Sequence, residues 1–124
     1  MADANILIAD DSELNRMILR SYLGSVADSI VEACEGLEAW GRIESLRPDL
    51  AILDVNMPGL SGIEVAEKMK EDPSLAEIPV VFVTAAASSE EDKFFDLERL
   101  GASIIEKPFS QDRLLSVVGE LMGS

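Results

Sequence analysis

Hydrophobic residues fall in five short runs separated by segments of helical periodicity. The runs are Ile6-Leu7-Ile8-Ala9, Ser29-Ile30-Val31, Leu50-Ala51-Ile52-Leu53, Val80-Val81-Phe82-Val83 and Ser103-Ile104-Ile105. Four are rich in β-branched residues, and several are apolar throughout instead of alternating. That is the pattern of parallel strands covered on both faces. Between and after them, apolar residues recur at three- and four-residue spacing, as on one side of a helix. Leu14, Met17, Ile18 and Tyr22 form the first stripe, Ala39, Ile43 and Leu46 the second, and Val65, Ala66 and Met69 the third. Phe94, Leu97 and Leu100 form a fourth; Leu114, Val117, Val118 and Leu121 form the fifth and most regular. Trp40 sits beside the second stripe and is expected to pack. Phe94 and Phe95 are adjacent and cannot share a helical face, so one is expected in the core and the other outside.

Helix starts agree with the pattern. Ser61 with Glu64 and Ser88 with Glu91 match a capping box, and Ser110 is placed to cap the last helix. The chain then reads as β-α repeated five times. Right-handed crossovers would put helices on both faces of a parallel sheet. Residues 1–124 are expected to form one domain, which 124 residues at 48% hydrophobic content can fill with a core.

Composition narrows the chemistry. Ten basic and 24 acidic residues give a formal net charge of −14, a field that repels phosphate backbones and argues against direct nucleic-acid binding. No apolar run approaches the ~20 residues of a membrane span, and residues 1–5 lack the basic and apolar regions of a signal peptide. Cys34 is the only cysteine, so no intramolecular disulfide can form and a cytoplasmic, reducing setting is expected. Cys34 itself is expected to be a small buried hydrophobe. The absence of histidine removes the commonest metal ligand and general base. Any metal must be held by oxygen, which points to Mg²⁺, Ca²⁺ or Mn²⁺.

Polar residues gather at the ends of the strands. Asp10 and Asp11 follow the first run, Asp54 ends the third, Thr84 follows the fourth and Lys107 follows the fifth. In an open parallel sheet, ligands bind beyond the carboxyl ends of the strands. Any α/β protein has polar residues there, but four elements here deliver three carboxylates, a hydroxyl and an ammonium to one edge. Two like charges about 4 Å apart repel by about 4 kcal/mol at an effective dielectric near 20. A small divalent cation relieves that repulsion without protons, and few protein ligands favour Mg²⁺. Lys107 could then balance an anion placed between itself and the cation.

These residues resemble the receiver domain of two-component response regulators, the CheY-like family, over essentially the whole chain. The resemblance is carried by Asp10-Asp11, by Asp54-Val55-Asn56-Met57-Pro58-Gly59-Leu60-Ser61-Gly62, by Val83-Thr84-Ala85 and by Lys107-Pro108-Phe109, each at a strand end and all in order. It implies an α/β fold, a three-layer (βα)5 doubly wound sandwich whose five-stranded parallel sheet has the order 2-1-3-4-5, flavodoxin- and CheY-like. It also implies roles. Asp54 would be the phosphorylated nucleophile. Asp11, Asp54 and the backbone carbonyl of Asn56 would ligate Mg²⁺, with Asp10 acting through a bound water. Thr84 and Lys107 would each hold a phosphoryl oxygen, and the bond before Pro108 would be cis. Asn56 and Ala86, two residues after Asp54 and Thr84, would flank the phosphoryl group and influence its lifetime.

A carboxylate needs no general base to be a nucleophile, so the missing histidine is no obstacle. Phosphoryl transfer asks the protein mainly for positioning and charge neutralisation. The family's partners are a sensor histidine kinase, a histidine phosphotransfer protein, or a target protein met on the face of the fourth helix, fifth strand and fifth helix. A stand-alone receiver is expected, either relaying the phosphoryl group or binding a target once phosphorylated. A receiver cut from a longer regulator fits the same residues. The resemblance breaks at Ile104, where receivers commonly carry an aromatic three residues before the lysine; switching by a swinging ring is therefore not expected. A Mg²⁺-dependent phosphohydrolase of the haloacid dehalogenase type also uses Asp, Thr and Lys on a parallel sheet. It would need a second Asp where Asn56 stands. A pseudo-receiver acting only as a binding module would not need the complete acidic and lysine set.

Overall fold

The computed structural model describes residues 4–84 and 103–122. They form five strands, β1 (Asn5–Ala9), β2 (Ser29–Ala33), β3 (Leu50–Asp54), β4 (Val80–Thr84) and β5 (Ser103–Glu106). With them are four helices, α1 (Glu13–Leu23), α2 (Gly36–Leu46), α3 (Gly62–Glu71) and α4 (Gln111–Met122). All strand pairs are parallel and the order is β2-β1-β3-β4-β5. The expected helix around Phe94, Phe95, Leu97 and Leu100, with its Ser88–Glu91 box, lies outside the described residues, as does Ala86. None of the described helices is long and apolar enough to cross a membrane.

The period of two along the strands sorts the core into two layers. Leu7, Ala9, Ala51, Leu53 and Phe82 face α2 and α3, where they meet Ala39, Ile43, Val65, Ala66 and Met69. Ile6, Ile8, Ile52, Val81, Val83 and Ile105 face α1 and α4, where they meet Leu19, Leu23, Leu114, Val117 and Val118. Tyr22 on α1 stands edge-on to Phe109, with ring centroids 5.9 Å apart. Trp40 packs against the first layer, as expected, with the Lys68 ammonium 5.7 Å from its ring centroid.

Three helix starts are fixed by serine. The Ser12 side chain accepts from the Asn15 N–H, Ser61 and Glu64 close the expected capping box, and Ser110 accepts from the Arg113 N–H.

Three expectations need correction. The first helical stripe is turned: Leu14 and Met17 are 64% and 58% exposed, Ile18 and Tyr22 are half-buried, and the inward residues are Leu19 and Leu23. Leu19 and Leu23 are apolar and four residues apart, so they form the stripe that α1 buries; the Arg16 guanidinium lies beside it, tied to β2 through Glu32. Leu46 is exposed because α2 ends there, with Arg47 in the left-handed conformation at φ 48°. Cys34 is exposed, since Ala33 takes the inward position at the end of the edge strand. A hydrogen bond to Glu38 is the main effect raising the Cys34 thiol above its ordinary pKa of 9.0, so the thiol stays protonated.

Candidate phosphoryl and metal site

The carboxyl ends of β1, β3, β4 and β5 lie side by side, so the residues that close those strands are brought to one edge. Asp10 follows β1 and is 1% exposed; Asp54 is the last residue of β3 and Thr84 the last of β4, both buried. Lys107 follows β5 with its side chain 16% exposed. Its ammonium donates to Asp10 Oδ2 at 2.9 Å and to Asp54 Oδ2 at 3.3 Å. Thr84 stands opposite Glu106 across the β4–β5 pair, and its carbonyl accepts the Lys107 N–H at 2.9 Å, anchoring the start of the lysine segment. The Lys107–Pro108 peptide bond is cis.

Asp10, Asp11 and Asp54 each offer a carboxylate oxygen, and these oxygens lie within 4.8 Å of one another. Asp11 is exposed and the other two are buried, so the cluster has one open side. Three hard oxygen donors and no nitrogen or sulfur ligand suit Mg²⁺, which takes few carboxylates and keeps several waters. The residues present therefore fit the ion.

The electrostatics follow from this crowding. Burial, then the negative charge of Asp10, push the Asp54 carboxyl above its ordinary 3.8; Lys107 and the Asn56 N–H only partly offset that. Burial works against the Lys107 ammonium. The hydrogen bond to Asp10 and the charges of Asp54 and Asp10 outweigh it and leave the pKa raised above 10.5.

The loop after β3 is shaped around Asp54. The Asn56 N–H donates to Asp54 Oδ1 at 3.1 Å, while Asn56 itself is exposed. Met57 turns inward and is buried, and Gly59 takes φ +76°, where a side chain would be strained. Gly62 opens α3 directly against the backbone carbonyl of Asp54, where a Cβ would overlap it. Sequence reasoning thus located every group of the cluster. It missed Arg16 and Glu32, which lie behind Asp10: Arg16 Nη1 donates to the Asp10 carbonyl at 2.6 Å and Arg16 Nε to Glu32 at 3.1 Å. A single glutamate at the end of the second apolar run was the available signal. A groove of about 190 Å³, lined in part by Asn5, Ser29, Arg42, Leu46 and Pro48, lies at the opposite end of β1 and β2 and has no part in this cluster.

Comparison with known proteins agrees with this geometry. The family model for the response regulator receiver domain matches residues 6–119. The polar-differentiation response regulator DivK of Brucella anthropi is 31% identical over 121 residues, covering 96% of each chain. The signal receiver domain of a signal transduction histidine kinase from Syntrophus aciditrophicus superposes with a TM-score of 0.87 at 30% identity, covering 97% of this chain and 90% of that one. The receiver domain of a sensor histidine kinase from Pseudomonas aeruginosa shares the fold, with a TM-score of 0.86 at 22% identity over 99% of this chain and 100% of that one; that neighbour has a magnesium ion coordinated in its active-site cleft. The chain is a member of the response regulator receiver domain family.

Proposed function

We propose that this receiver domain accepts a phosphoryl group on Asp54 in a Mg²⁺-dependent reaction, as one step of a phosphorelay. The observation that carries the reading is the meeting of Asp10, Asp11, Asp54 and Lys107 from three separate strand ends, with a buried nucleophile candidate between a cation site and an ammonium. The donor is a phosphohistidine on a sensor kinase or a histidine phosphotransfer protein, whose imidazole supplies what this chain lacks.

In the reaction an Asp54 carboxylate oxygen attacks phosphorus, the phosphorus–nitrogen bond of the donor breaks, and its electron pair returns to the imidazole. The product is an acyl phosphate on Asp54, suited to a signal with a limited lifetime. Asp11, Asp54 and the Asn56 carbonyl would hold Mg²⁺ directly, with Asp10 acting through water. When bound, the ion supplies positive charge against the transferred oxygens. Lys107 leaves its bridge between the two aspartates to pair with a phosphoryl oxygen, and Thr84 donates its hydroxyl to another. The Asn56 N–H keeps the Asp54 carboxylate oriented throughout.

The chain acts as an acceptor and not as a turnover enzyme: the position where a phosphohydrolase of the aspartyl type needs its second acid is occupied by Asn56. The phosphorylated domain then passes its group on or binds a target. Intact mass after incubation with acetyl phosphate tests the reading. The expected result is one added phosphoryl group with Mg²⁺ present, none after chelation and none in Asp54→Asn. Equal labelling of Asp54→Asn would remove Asp54 from the nucleophile role, and equal labelling in chelator would remove the metal.

A further inference from the structure

We propose that Arg16, aimed by Glu32, is a positioning residue for the acidic pair, and that it acts by fixing the backbone of Asp10 from behind. The inference rests on the reading of the cluster as a Mg²⁺ and phosphoryl site. Asp10 has four polar atoms, and each has a partner. Its N–H donates to the Ala33 carbonyl at 3.1 Å, where β2 ends. Its Oδ1 accepts from the Ser12 N–H at 2.9 Å, and its Oδ2 accepts from Lys107 at 2.9 Å. Its carbonyl has left the β1–β3 ladder, whose last pair is Ala9 with Leu53. That carbonyl accepts instead from the Arg16 guanidinium at 2.6 Å.

Arg16 is itself immobilised. Its Nε meets Glu32 Oε1 at 3.1 Å with the arginine side chain 16% exposed, and Glu32 Oε2 is held by Arg20 at 2.9 Å. A planar guanidinium can serve both acceptors at once, through Nε and Nη1; an ammonium at that distance from the backbone cannot fork in the same way. Glu32 pairs with Ile8 in register, so the clamp is referred to the sheet and not to a loop. The peptide joining Asp10 to Asp11 contains the clamped carbonyl. Its orientation determines where both carboxylates start. Freeing it would spread the oxygens that now lie within 4.8 Å of one another. Partners behind a ligand that fix its direction commonly govern metal affinity in this way.

The test is Mg²⁺ calorimetry on the metal-free full chain, combined with amide hydrogen exchange at Ser12. Arg16→Ala is expected to weaken the Mg²⁺ dissociation constant about tenfold and to speed exchange at Ser12 without a matching change in global opening. Glu32→Ala is expected to weaken Mg²⁺ binding in the native background and to add nothing in Arg16→Ala, because it works through the arginine. Arg16→Lys is expected to recover part of the loss. An Arg16→Ala protein with a lower melting temperature but unchanged Mg²⁺ constant and Ser12 exchange would make the clamp purely architectural and overturn the proposal. If Arg16→Ala does not fold, Glu32→Ala and Arg16→Lys decide on the same readouts. Native protein that binds no Mg²⁺ would instead defeat the reading of the site, so the two failures are distinct.

Discussion

Lys107 neutralises two buried carboxylates at once, and removing it exposes what the site costs without a cation. In Lys107→Ala, Asp10 and Asp54 face each other with no ammonium between them. The metal-free variant is expected to lose about 3 kcal/mol of stability, the scale for removing one partner of a buried ion pair. Saturating Mg²⁺ should restore much of it. Chemical denaturation with and without the ion measures this; an equal loss in both conditions would mean that the ion does not enter the cluster. Asp54 gives a second prediction, with its sign set by the raised pKa. The folded chain binds the Asp54 proton more tightly than the unfolded chain. Between the ordinary 3.8 and the raised folded value, the unfolded state therefore holds fewer protons, and stability falls as pH rises. Metal-free native protein should lose stability relative to Asp54→Asn as pH climbs through that window, and parallel curves would show the raised pKa to be wrong. These residues were legible in the sequence because chemistry sits at strand ends, where position along the chain reveals position in space. Arg16 and Glu32 were not legible. Their link spans 16 residues and depends on which way α1 is turned, and local spacing does not record that.

Helices and strands differ in how much of their packing the pattern discloses. The third and last helical stripes were read correctly, since Val65, Ala66 and Met69, and Leu114, Val117 and Val118, are all buried. In α1 apolar residues cover more than one face, and spacing alone does not tell that Leu19 and Leu23 are buried while Leu14 and Met17 are exposed. β2 was read short by two residues: Glu32 breaks the apolar run, yet an edge strand tolerates a charge that has Arg16 and Arg20 as partners. The loop from β3 into α3 is where element and site meet. A Cβ at Gly62 would collide with the Asp54 backbone, so Gly62→Ala must shift either the helix or the end of β3. The expected cost is about 1–3 kcal/mol, as for other overpacked positions. Labelling by acetyl phosphate should slow as well, because the atoms that the new Cβ would overlap belong to Asp54. A variant with native melting temperature and native labelling would show that α3 gives way freely.

At the scale of the whole molecule, sequence pattern and structure agree on a doubly wound α/β sheet, because each β-α unit is local and right-handed crossover leaves few ways to assemble them. The strand order came from the resemblance, and the register of β1 on both β2 and β3 agrees with it. The formal charge of −14 adds a property no single residue carries. A strongly acidic surface concentrates cations, so Mg²⁺ should raise the melting temperature more at low ionic strength than in added potassium chloride. An unchanged shift across that range would confine the attraction to the three carboxylates. The proposed phosphorylation, however, is a covalent bond at one atom. Borohydride reduces an aspartyl phosphate to homoserine, leaving a stable mark on the residue that carried phosphorus. After incubation with acetyl phosphate and Mg²⁺, followed by reduction and peptide sequencing by mass spectrometry, homoserine is expected at position 54 alone. Homoserine at Asp10 or Asp11 with Asp54 unmodified, or at no aspartate, would rule out Asp54 as the phosphoryl acceptor.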